Sequence, residues 1–528
     1  MRAVGTVLFL VVLATAVATF ARRLRIPAPS VLVLAGVLVA LVPGVPTPDI
    51  PPQAISLVVL PPLLYASAEE LSLRDLRTVW RPVTVLALGL VLASAAAIGA
   101  LAVAITPLSA PMAFVLGAVL ASTDPVAVTA LGRRLALPGK VQVLVQAESL
   151  FNDATSLVLF KVAVAVAVAS GAVSWQFAVG DFVLLAGGGA VVGAVLAAAV
   201  RLIRRHTADP VLETVIALVT PYAAYVLAES VHASGVTAVV VAGVVLGRSG
   251  HRLSDATIRL QLSAVYAVVV FLLESVVFGI IGLELPALVR DLPAGSGRWP
   301  LQALAVAVAL IALRVLWVLP MSAAVRPDRG LSSWRIATVV TWAGTRGVMP
   351  LAAALSIPLV TEDGAGLPGR PLVLVLTTAV VVLTLVVQGF SLSAVVDRSG
   401  LALEPEHTAR EENAARAALD RAGLAHLDRL AGLETFPEAA LALARQGLTT
   451  RLADTAEPDT AEPDAAGPGA GPRDGDTLTG AYRRLRQDVI AVQNTELLRL
   501  YDEHRISDTT RRTLQYDLDR EETALRDG

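Results

Sequence analysis

Between residues 3 and 397 the sequence is a succession of apolar runs, many as long as a membrane-spanning helix. A helix that crosses a bilayer needs roughly 20 consecutive apolar residues, because no water inside the membrane can hydrogen-bond an exposed backbone. The chain is 55% hydrophobic and 16% charged, with a mean hydropathy of +0.69, whereas soluble domains carry about 25% charged residues. The sequence therefore predicts an all-α polytopic membrane protein.

We predict about 13 transmembrane helices from these runs. They lie at 3–21, 28–43, 54–70, 81–106, 111–132, 140–170, 180–204, 210–230, 234–248, 258–286, 300–325, 334–358 and 370–397.

Basic side chains alternate between the predicted loops. Six loops carry three Arg or Lys residues each, and they lie at 22–25, 74–81, 133–140, 201–205, 248–259 and 326–335. The intervening loops carry only Arg290, Arg298 and Arg370. By the positive-inside rule the first set faces the cytoplasm. We therefore expect a multi-pass protein of the cell membrane with its N-terminus outside and its C-terminus in the cytoplasm.

Two predicted spans are interrupted near mid-membrane. Pro125 breaks the fifth span, because it lacks the N–H that would continue the helix and disfavours helical geometry at Asp124. Asp124 and Pro125 are then the N-cap and first residue of a second half-helix. Two glycines and Pro350 around Arg346 break the twelfth span. Spans seven apart run in opposite directions, so we predict two inverted repeats with the site where the two breaks meet.

The sixth predicted span carries polar residues inside an apolar run. Asp153 lies roughly 20 Å along this span, at a depth where a charge costs several kcal/mol. Ser149, Asp153 and Ser156 share one helical face, and Glu148 and Asn152 share the adjacent one. A buried ionisable residue of this kind indicates a binding site or an ion path.

The residue types on this face suit a hard monovalent cation, which prefers oxygen ligands. Asp153 and Ser149, with a carbonyl or hydroxyl oxygen of Thr123, can supply most of such a metal-ion shell. Asp153 can also hold a proton, and one carboxylate that carries either ion is enough for obligatory exchange. Arg346 keeps its charge and needs a partner, for which Glu148 is the expected candidate.

Several segments resemble the marker motifs of the monovalent cation:proton antiporter-1 family, in its NhaP-type and sodium/proton exchanger branch. They are Thr123-Asp-Pro-Val-Ala-Val128, Glu148-Ser-Leu-Phe-Asn-Asp153, Gly344-Thr-Arg-Gly-Val348, and Pro61-Pro-Leu-Leu-Tyr65 with Leu73-Arg-Asp-Leu76. The resemblance covers residues 1–397. It implies a secondary transporter that exchanges a monovalent cation, expected to be Na⁺, for H⁺ by alternating access.

The resemblance also implies a role for each motif residue. Asp153 is then the exchange site, and Asn152 stabilises it. Thr123 and Ser149 help to ligate the cation, and Asp124 balances the ends of the half-helices.

Further expectations follow from the same resemblance. Glu148 and Arg346 form a structural ion pair, and the Asn-Asp pair implies electroneutral exchange. The protein is a homodimer in which a dimerisation domain flanks a moving core, and the core contains both crossing discontinuous helices. The family's third-span carboxylate is Ala66 here, and Glu69 and Glu70 follow one turn later. Their role stays open, as do those of Glu274 and Arg314, for which helix–helix contacts are the default interpretation.

The sequence is also compatible with other functions. The sequence does not set a cavity radius, so K⁺/H⁺ exchange is an alternative, and a cation channel also uses broken helices. An intramembrane aspartyl protease built on Asp124 and Asp153 is disfavoured, because no Gly-x-Gly-Asp segment is present. With no Cys the chain has no disulfide framework or thiolate metal site, and six scattered His argue against a His-rich metal centre. As a transporter, the protein is expected not to be an enzyme and to hold no cofactor. Nothing in the chain indicates nucleic-acid binding.

The apolar character ends at Asp397, so residues 1–397 form the predicted transmembrane domain. Residues 398–454 are predicted to form a cytoplasmic helical segment. Residues 455–477 predict a disordered acidic linker, because Thr-Ala-Glu-Pro-Asp occurs twice in succession and Gly and Pro follow. Residues 478–528 predict a cytoplasmic tail of two helices, separated at Arg505-Ile-Ser-Asp508.

Overall fold

The computed structural model describes residues 2–24, 28–42, 52–124, 139–168, 175–207, 209–253, 255–292, 296–324, 333–361, 364–400, 405–433, 436–454 and 475–527. Within these ranges the secondary structure is helical apart from an isolated bridge between Val360 and Gly366. The all-α prediction is therefore confirmed for the described part of the chain.

Sixteen helices occupy the apolar region of the described chain. They are α1 (Arg2–Leu24), α2 (Ala28–Ala40), α3 (Pro52–Val58), α4 (Leu60–Glu69), α5 (Leu73–Thr84), α6 (Val91–Ile105), α7 (Ala110–Ala121), α8 (Gly139–Val168), α9 (Trp175–Arg204), α10 (Pro210–Ser230), α11 (Gly235–Leu253), α12 (Ala256–Arg290), α13 (Trp299–Ala324), α14 (Ser333–Trp342), α15 (Val348–Leu355) and α16 (Arg370–Ser399). A π-helical turn, Val85–Leu90, joins α5 to α6.

Seven described helical stretches are long and apolar enough to cross a membrane, namely Leu76–Ile105, Val141–Val168, Phe182–Arg204, Pro210–Ser230, Ala256–Arg290, Ser296–Met321 and Arg370–Leu392. Four shorter apolar stretches are Leu8–Ala21, Val31–Ala40, Ala110–Ala121 and Gly235–Arg248. Each predicted span falls on one helix or on a consecutive pair of helices, with the fifth described only up to Asp124.

Helix α7, which leads to the first break, is held against α6 by a close backbone approach. A Cβ atom added to Gly117 would lie 2.3 Å from the carbonyl oxygen of Ala95. Only glycine allows the two helices to pack at this distance, as small residues commonly do between membrane helices. This contact fixes α7 shortly before the point at which it ends.

The chain divides into two compact units. The first comprises Met1–Leu253 and Ala264–Ala402, and the second comprises Ser254–Ser263 and Leu403–Gly528. The second unit contains α17 (Pro405–Ala431), α18 (Glu438–Asp454), α19 (Gly475–Asp502) and α20 (Asp508–Asp527). Its core includes Leu419, Leu497 and Leu514.

The turn predicted at 505–508 is present between α19 and α20, where Ser507 Oγ accepts a hydrogen bond from the Thr510 amide at 3.3 Å. Most of the predicted linker 455–477 lies outside the described residues, which resume at Gly475.

Candidate functional site

The two predicted breaks are present, and they contact each other. Helix α7 ends at Ala121, and α14 and α15 are separated by residues 343–347, which are not helical. The Asp124 amide donates to the Thr345 carbonyl oxygen at 2.8 Å. The Thr345 hydroxyl donates to the Asp124 carbonyl oxygen, also at 2.8 Å. Backbone groups that a continuous helix would have satisfied are therefore paired across the two breaks. The half-helix predicted to start at Pro125 lies outside the described residues.

Each break also contributes a charged side chain, which binds the end of the helix that borders the other break. Asp124 Oδ2 accepts a hydrogen bond from the Val348 amide at 3.1 Å, at the N-terminus of α15. The Arg346 guanidinium donates from Nε to the Leu120 carbonyl oxygen at 2.8 Å, at the C-terminus of α7. A carboxylate stabilises a helix N-terminus and a cation stabilises a C-terminus. The Asp124 and Arg346 charges therefore have a structural function where the two breaks contact each other.

Gly347 makes this arrangement possible. A Cβ atom at this position would lie 1.6 Å from Asp124 Oδ2. The carboxylate can reach the Val348 amide only because residue 347 has no side chain. The glycine that the sequence identified as a helix breaker thus also provides the space for Asp124.

Helix α8 binds the first break through two side chains. Asn152 Nδ2 donates to Thr123 Oγ1 at 2.5 Å, and the Thr123 amide donates to Asn152 Oδ1 at 3.3 Å. Ser149 Oγ donates to the Thr123 carbonyl oxygen at 2.5 Å. These contacts bring Thr123, Ser149 and Asn152 together. The spacing of Ser149 and Asn152 along α8 places both within reach of one extended residue.

Asp153 follows one turn after Ser149 on the same face and is 6% exposed. Its Oδ1 atom is buried without a hydrogen-bond partner among the residues that the structure describes. The side chain of Ser122 lies close enough to interact with the carboxylate, and the charges of Asp124 and Arg346 act on it. Ser122 was not predicted; its only signal in the sequence is its place directly before Thr123 in the broken span.

The prediction that Glu148 pairs with Arg346 is wrong. Glu148 pairs with Arg314 on α13, which donates to its two carboxylate oxygens at 2.6 and 2.9 Å. Arg314 also donates to the Val340 carbonyl oxygen in the last turn of α14. Arg346 is already bonded to carbonyl oxygens, those of Leu120 and Gly344. Each of the two arginines therefore satisfies the carbonyl end of one interrupted helix.

The remaining polar residues of the sixth span lie on either side of this cluster. Ser156 Oγ donates to the Ala118 carbonyl oxygen of α7 at 2.7 Å. Lys161 forms an ion pair with Glu229 of α10, and its Nζ lies 5.6 Å from the centre of the Tyr225 ring. Lys161 thus has partners of its own.

The structure gives the positions of three acidic residues whose roles the sequence left open. Glu69 ends α4, and its backbone packs closely against Gly247 of α11. Glu70 is the next residue and is exposed. Glu274 lies in the middle of α12, where the charge of Asp124 acts on it.

Comparison with known proteins gives the family. The sodium/hydrogen exchanger transmembrane family matches residues 8–398. This chain belongs to the sodium/hydrogen exchanger family. It is a multi-pass membrane transporter of the cation/proton antiporter type, and no catalytic family is indicated.

Three proteins similar to this exchanger show how it is related to other Na⁺/H⁺ exchangers and antiporters. An uncharacterised Na⁺/H⁺ exchanger of Mycobacterium tuberculosis is 33% identical, over 96% of this chain and 93% of that protein. The Na⁺/H⁺ antiporter ApNhaP of Aphanothece halophytica is 32% identical, over 79% of each chain. The solved sodium proton antiporter MjNhaP1 of Methanocaldococcus jannaschii is 22% identical, with a TM-score of 0.62, over 76% of this chain and 99% of that one. The exchanger therefore has the MjNhaP1 antiporter fold.

Proposed function

We propose that this chain exchanges Na⁺ for H⁺ across the cell membrane by alternating access, with Asp153 carrying either ion. The observation that carries the proposal is the buried, unpartnered Oδ1 of Asp153, one turn from Ser149 and beside the broken segment. A buried carboxylate oxygen that no described group satisfies is costly unless a cation or a proton occupies it.

The neighbouring oxygens support a cation at this point. The Thr123 carbonyl oxygen has a second lone pair beyond the one that accepts from Ser149, and the Ser149 hydroxyl retains its own lone pairs. Together with Asp153 these oxygens are hard ligands suited to Na⁺. Asn152 uses its amide to hold Thr123 in place, so we assign it a positioning role.

The contact between the two breaks supplies the charges that keep such a site stable. Asp124 is engaged by the N-terminus of α15 and Arg346 by the C-terminus of α7, so both have partners of their own. This leaves Asp153 as the carboxylate that can change its occupant. In the proposed cycle it takes a cation from the cytoplasm, the core moves, and an external proton replaces the cation. Competition for one carboxylate prevents both ions from being carried together.

We infer the finer architecture from the same family. The chain then has about 13 spans in two inverted repeats, is a homodimer, and works electroneutrally because Asn152 replaces a second carboxylate. The predicted orientation is supported within the second unit, where Arg259 binds Asp519 of the C-terminal helix. The two residues then lie on one side of the membrane, as the charge distribution requires.

Transport by the purified protein in liposomes tests the proposal. An imposed pH gradient is monitored while Na⁺, K⁺ or Li⁺ is added, with and without a clamp on the membrane potential. We expect Na⁺ to dissipate the gradient at a rate that the clamp does not change, and Asp153→Asn to abolish the response. A response to K⁺ without one to Na⁺ would replace the assigned cation, and a large cation current without proton movement would indicate a channel.

Two serines of α8 provide a matched pair of variants. Both serines donate a hydrogen bond to a backbone carbonyl oxygen. Ser156 binds Ala118 in the last turn of α7, whereas Ser149 binds Thr123 in the non-helical segment after it. Ser149→Ala should raise the cation concentration needed for half-maximal exchange, whereas Ser156→Ala should leave it unchanged. Equal effects of the two substitutions would remove Ser149 from the proposed cation shell.

A further inference from the structure

Two tryptophan side chains differ from the others because they are exposed. Trp80 is 55% exposed and Trp334 is 57% exposed, whereas the other tryptophans whose side chains the structure describes are partly buried. Each of the two is followed by an arginine whose guanidinium carbon lies near the centre of the indole ring, at 5.5 Å for Arg81 and 5.8 Å for Arg335. A cation is attracted to the face of an indole ring. The same Trp-Arg arrangement therefore occurs at two distant places in the chain.

Both places are the start of a membrane helix on the side predicted to be cytoplasmic. Arg81 begins the fourth predicted span and Trp334 begins the twelfth, and both adjoin loops of the basic set. Further along these helices, Leu86 of the π-helical turn and Ala337 of α14 belong to one buried hydrophobic cluster. The two Trp-Arg pairs therefore lie at neighbouring helix ends on one side of the membrane region.

The arginines at these helix ends are not neutralised by ion pairs. Arg77, Arg81 and Arg335 are exposed, and none of them forms a hydrogen bond or an ion pair with a residue that the structure describes. Segment 74–81 carries three arginines and one aspartate, so its own sequence leaves it positive. A Cβ atom added to Gly400 would lie 3.2 Å from Arg335 Nη1, which places this guanidinium beside the end of α16. The remaining positive charge has to be balanced from outside the described chain.

An exposed indole ring beside an unpaired guanidinium matches the chemistry of a lipid headgroup region. Tryptophan prefers the membrane surface, where its apolar ring contacts the upper acyl chain and its N–H reaches the polar layer. A guanidinium donates paired hydrogen bonds to phosphate oxygens. A free phosphate ion would satisfy the arginines but would leave both indole rings without an apolar partner. A phospholipid satisfies both groups at once.

We propose that Arg77, Trp80, Arg81, Trp334 and Arg335 form a binding site for an anionic phospholipid of the cytoplasmic leaflet. The arginines bind its phosphate oxygens, and the indole rings contact its glycerol and first methylene groups. A zwitterionic phospholipid binds less tightly, because its own ammonium group cancels the charge that the arginines attract. Helix α14 leads directly into the second break, so the bound lipid anchors the helix that carries this break at the membrane surface.

Quenching of tryptophan fluorescence by brominated lipids tests this proposal. The full-length protein is reconstituted in phosphatidylcholine with an increasing fraction of phosphatidylglycerol that is brominated near its headgroup. Brominated phosphatidylcholine at the same fractions measures contact without selectivity. We expect half-maximal quenching at a lower fraction of the brominated anionic lipid. Arg81→Gln and Arg335→Gln should each raise this fraction by about fivefold, and the double variant by about 25-fold, since each basic side chain contributes independently near an anionic surface.

Two further variants locate the site. Arg201→Gln with Arg205→Gln removes two exposed arginines from the end of α9, which packs against α10 and α11. Because no exposed tryptophan adjoins them, the selectivity for the anionic lipid should stay unchanged. Trp80→Phe with Trp334→Phe should remove the selective part of the quenching, because the remaining tryptophans lie outside the proposed site.

Equal quenching of the natural protein by the two brominated lipids would overturn the proposal. An equal loss of selectivity in the Arg201→Gln, Arg205→Gln variant would do the same, since it would reduce the effect to general attraction between arginines and the membrane. Displacement of the brominated lipid by inorganic phosphate would show that the occupant is a free anion and not a lipid. The measurement reports lipid binding only, so its failure is distinguishable from a failure of the proposed cation exchange.

Discussion

The pairing of Glu148 with Arg314 makes a quantitative prediction. Their side chains are 1% and 4% exposed and share two hydrogen bonds. Removing one partner of a buried ion pair leaves an uncompensated charge and costs about 3–5 kcal/mol. If the two side chains acted independently, removing both would cost about 6–10 kcal/mol. Because they compensate each other, we expect Glu148→Gln combined with Arg314→Met to cost no more than about one single substitution.

A double-mutant cycle measures this coupling. The free energy of unfolding is obtained for the natural protein, both single variants and the double variant in detergent, using tryptophan fluorescence from the six Trp residues. A coupling energy of at least about 3 kcal/mol is expected between Glu148 and Arg314. The matched cycle of Glu148→Gln with Arg346→Met should show a smaller coupling, since Arg346 bonds carbonyl oxygens and feels Glu148 only through its charge. A coupling in the second cycle that equals or exceeds that in the first would refute the assigned pairing.

Three further predictions concern other parts of the molecule. Gly347→Ala should abolish exchange, because the added Cβ would lie 1.6 Å from Asp124 Oδ2; normal transport by this variant would contradict the role of the contact between the two breaks. Lys161→Met should lower stability by about 1 kcal/mol, since its pair with Glu229 is partly exposed, but retain exchange in the liposome assay. In the tail, burial alone would raise the pKa of Glu521, but nearby guanidinium groups outweigh it and hold that pKa below its ordinary 4.5. The bundle should therefore lose stability as the pH falls below about 4.5, and melting curves of Glu521→Gln should show a smaller loss.

The sequence predicted those features that depend on local chemistry. Pro125 and the glycines around Arg346 interrupt helices wherever they lie, and Asp153 is conspicuous because its neighbours along the chain are apolar. The spacing on α8 correctly placed Ser149 on a polar face, and the structure shows that this serine contacts Thr123.

Features that depend on packing between distant segments were not predictable in the same way. Arg314 lies 166 residues from Glu148, and nothing local distinguishes it from Arg346 as a partner. The helix that Asp124 was predicted to cap lies outside the described residues, and nothing local in the sequence indicated that its carboxylate also binds the Val348 amide, 224 residues away. A single sequence gives the charge of such a residue but not the helix end that it meets.

Proton release on cation binding shows directly whether Asp153 is the site that both ions share. Purified protein in weakly buffered detergent solution is titrated with Na⁺ while the free proton concentration is measured with a pH indicator. We expect Na⁺ to release protons from the natural protein. The release should disappear in Asp153→Asn but persist in Asp209→Asn, a control that removes the exposed N-cap carboxylate of α10. Undiminished proton release from Asp153→Asn would contradict the assignment of Asp153 as the shared site.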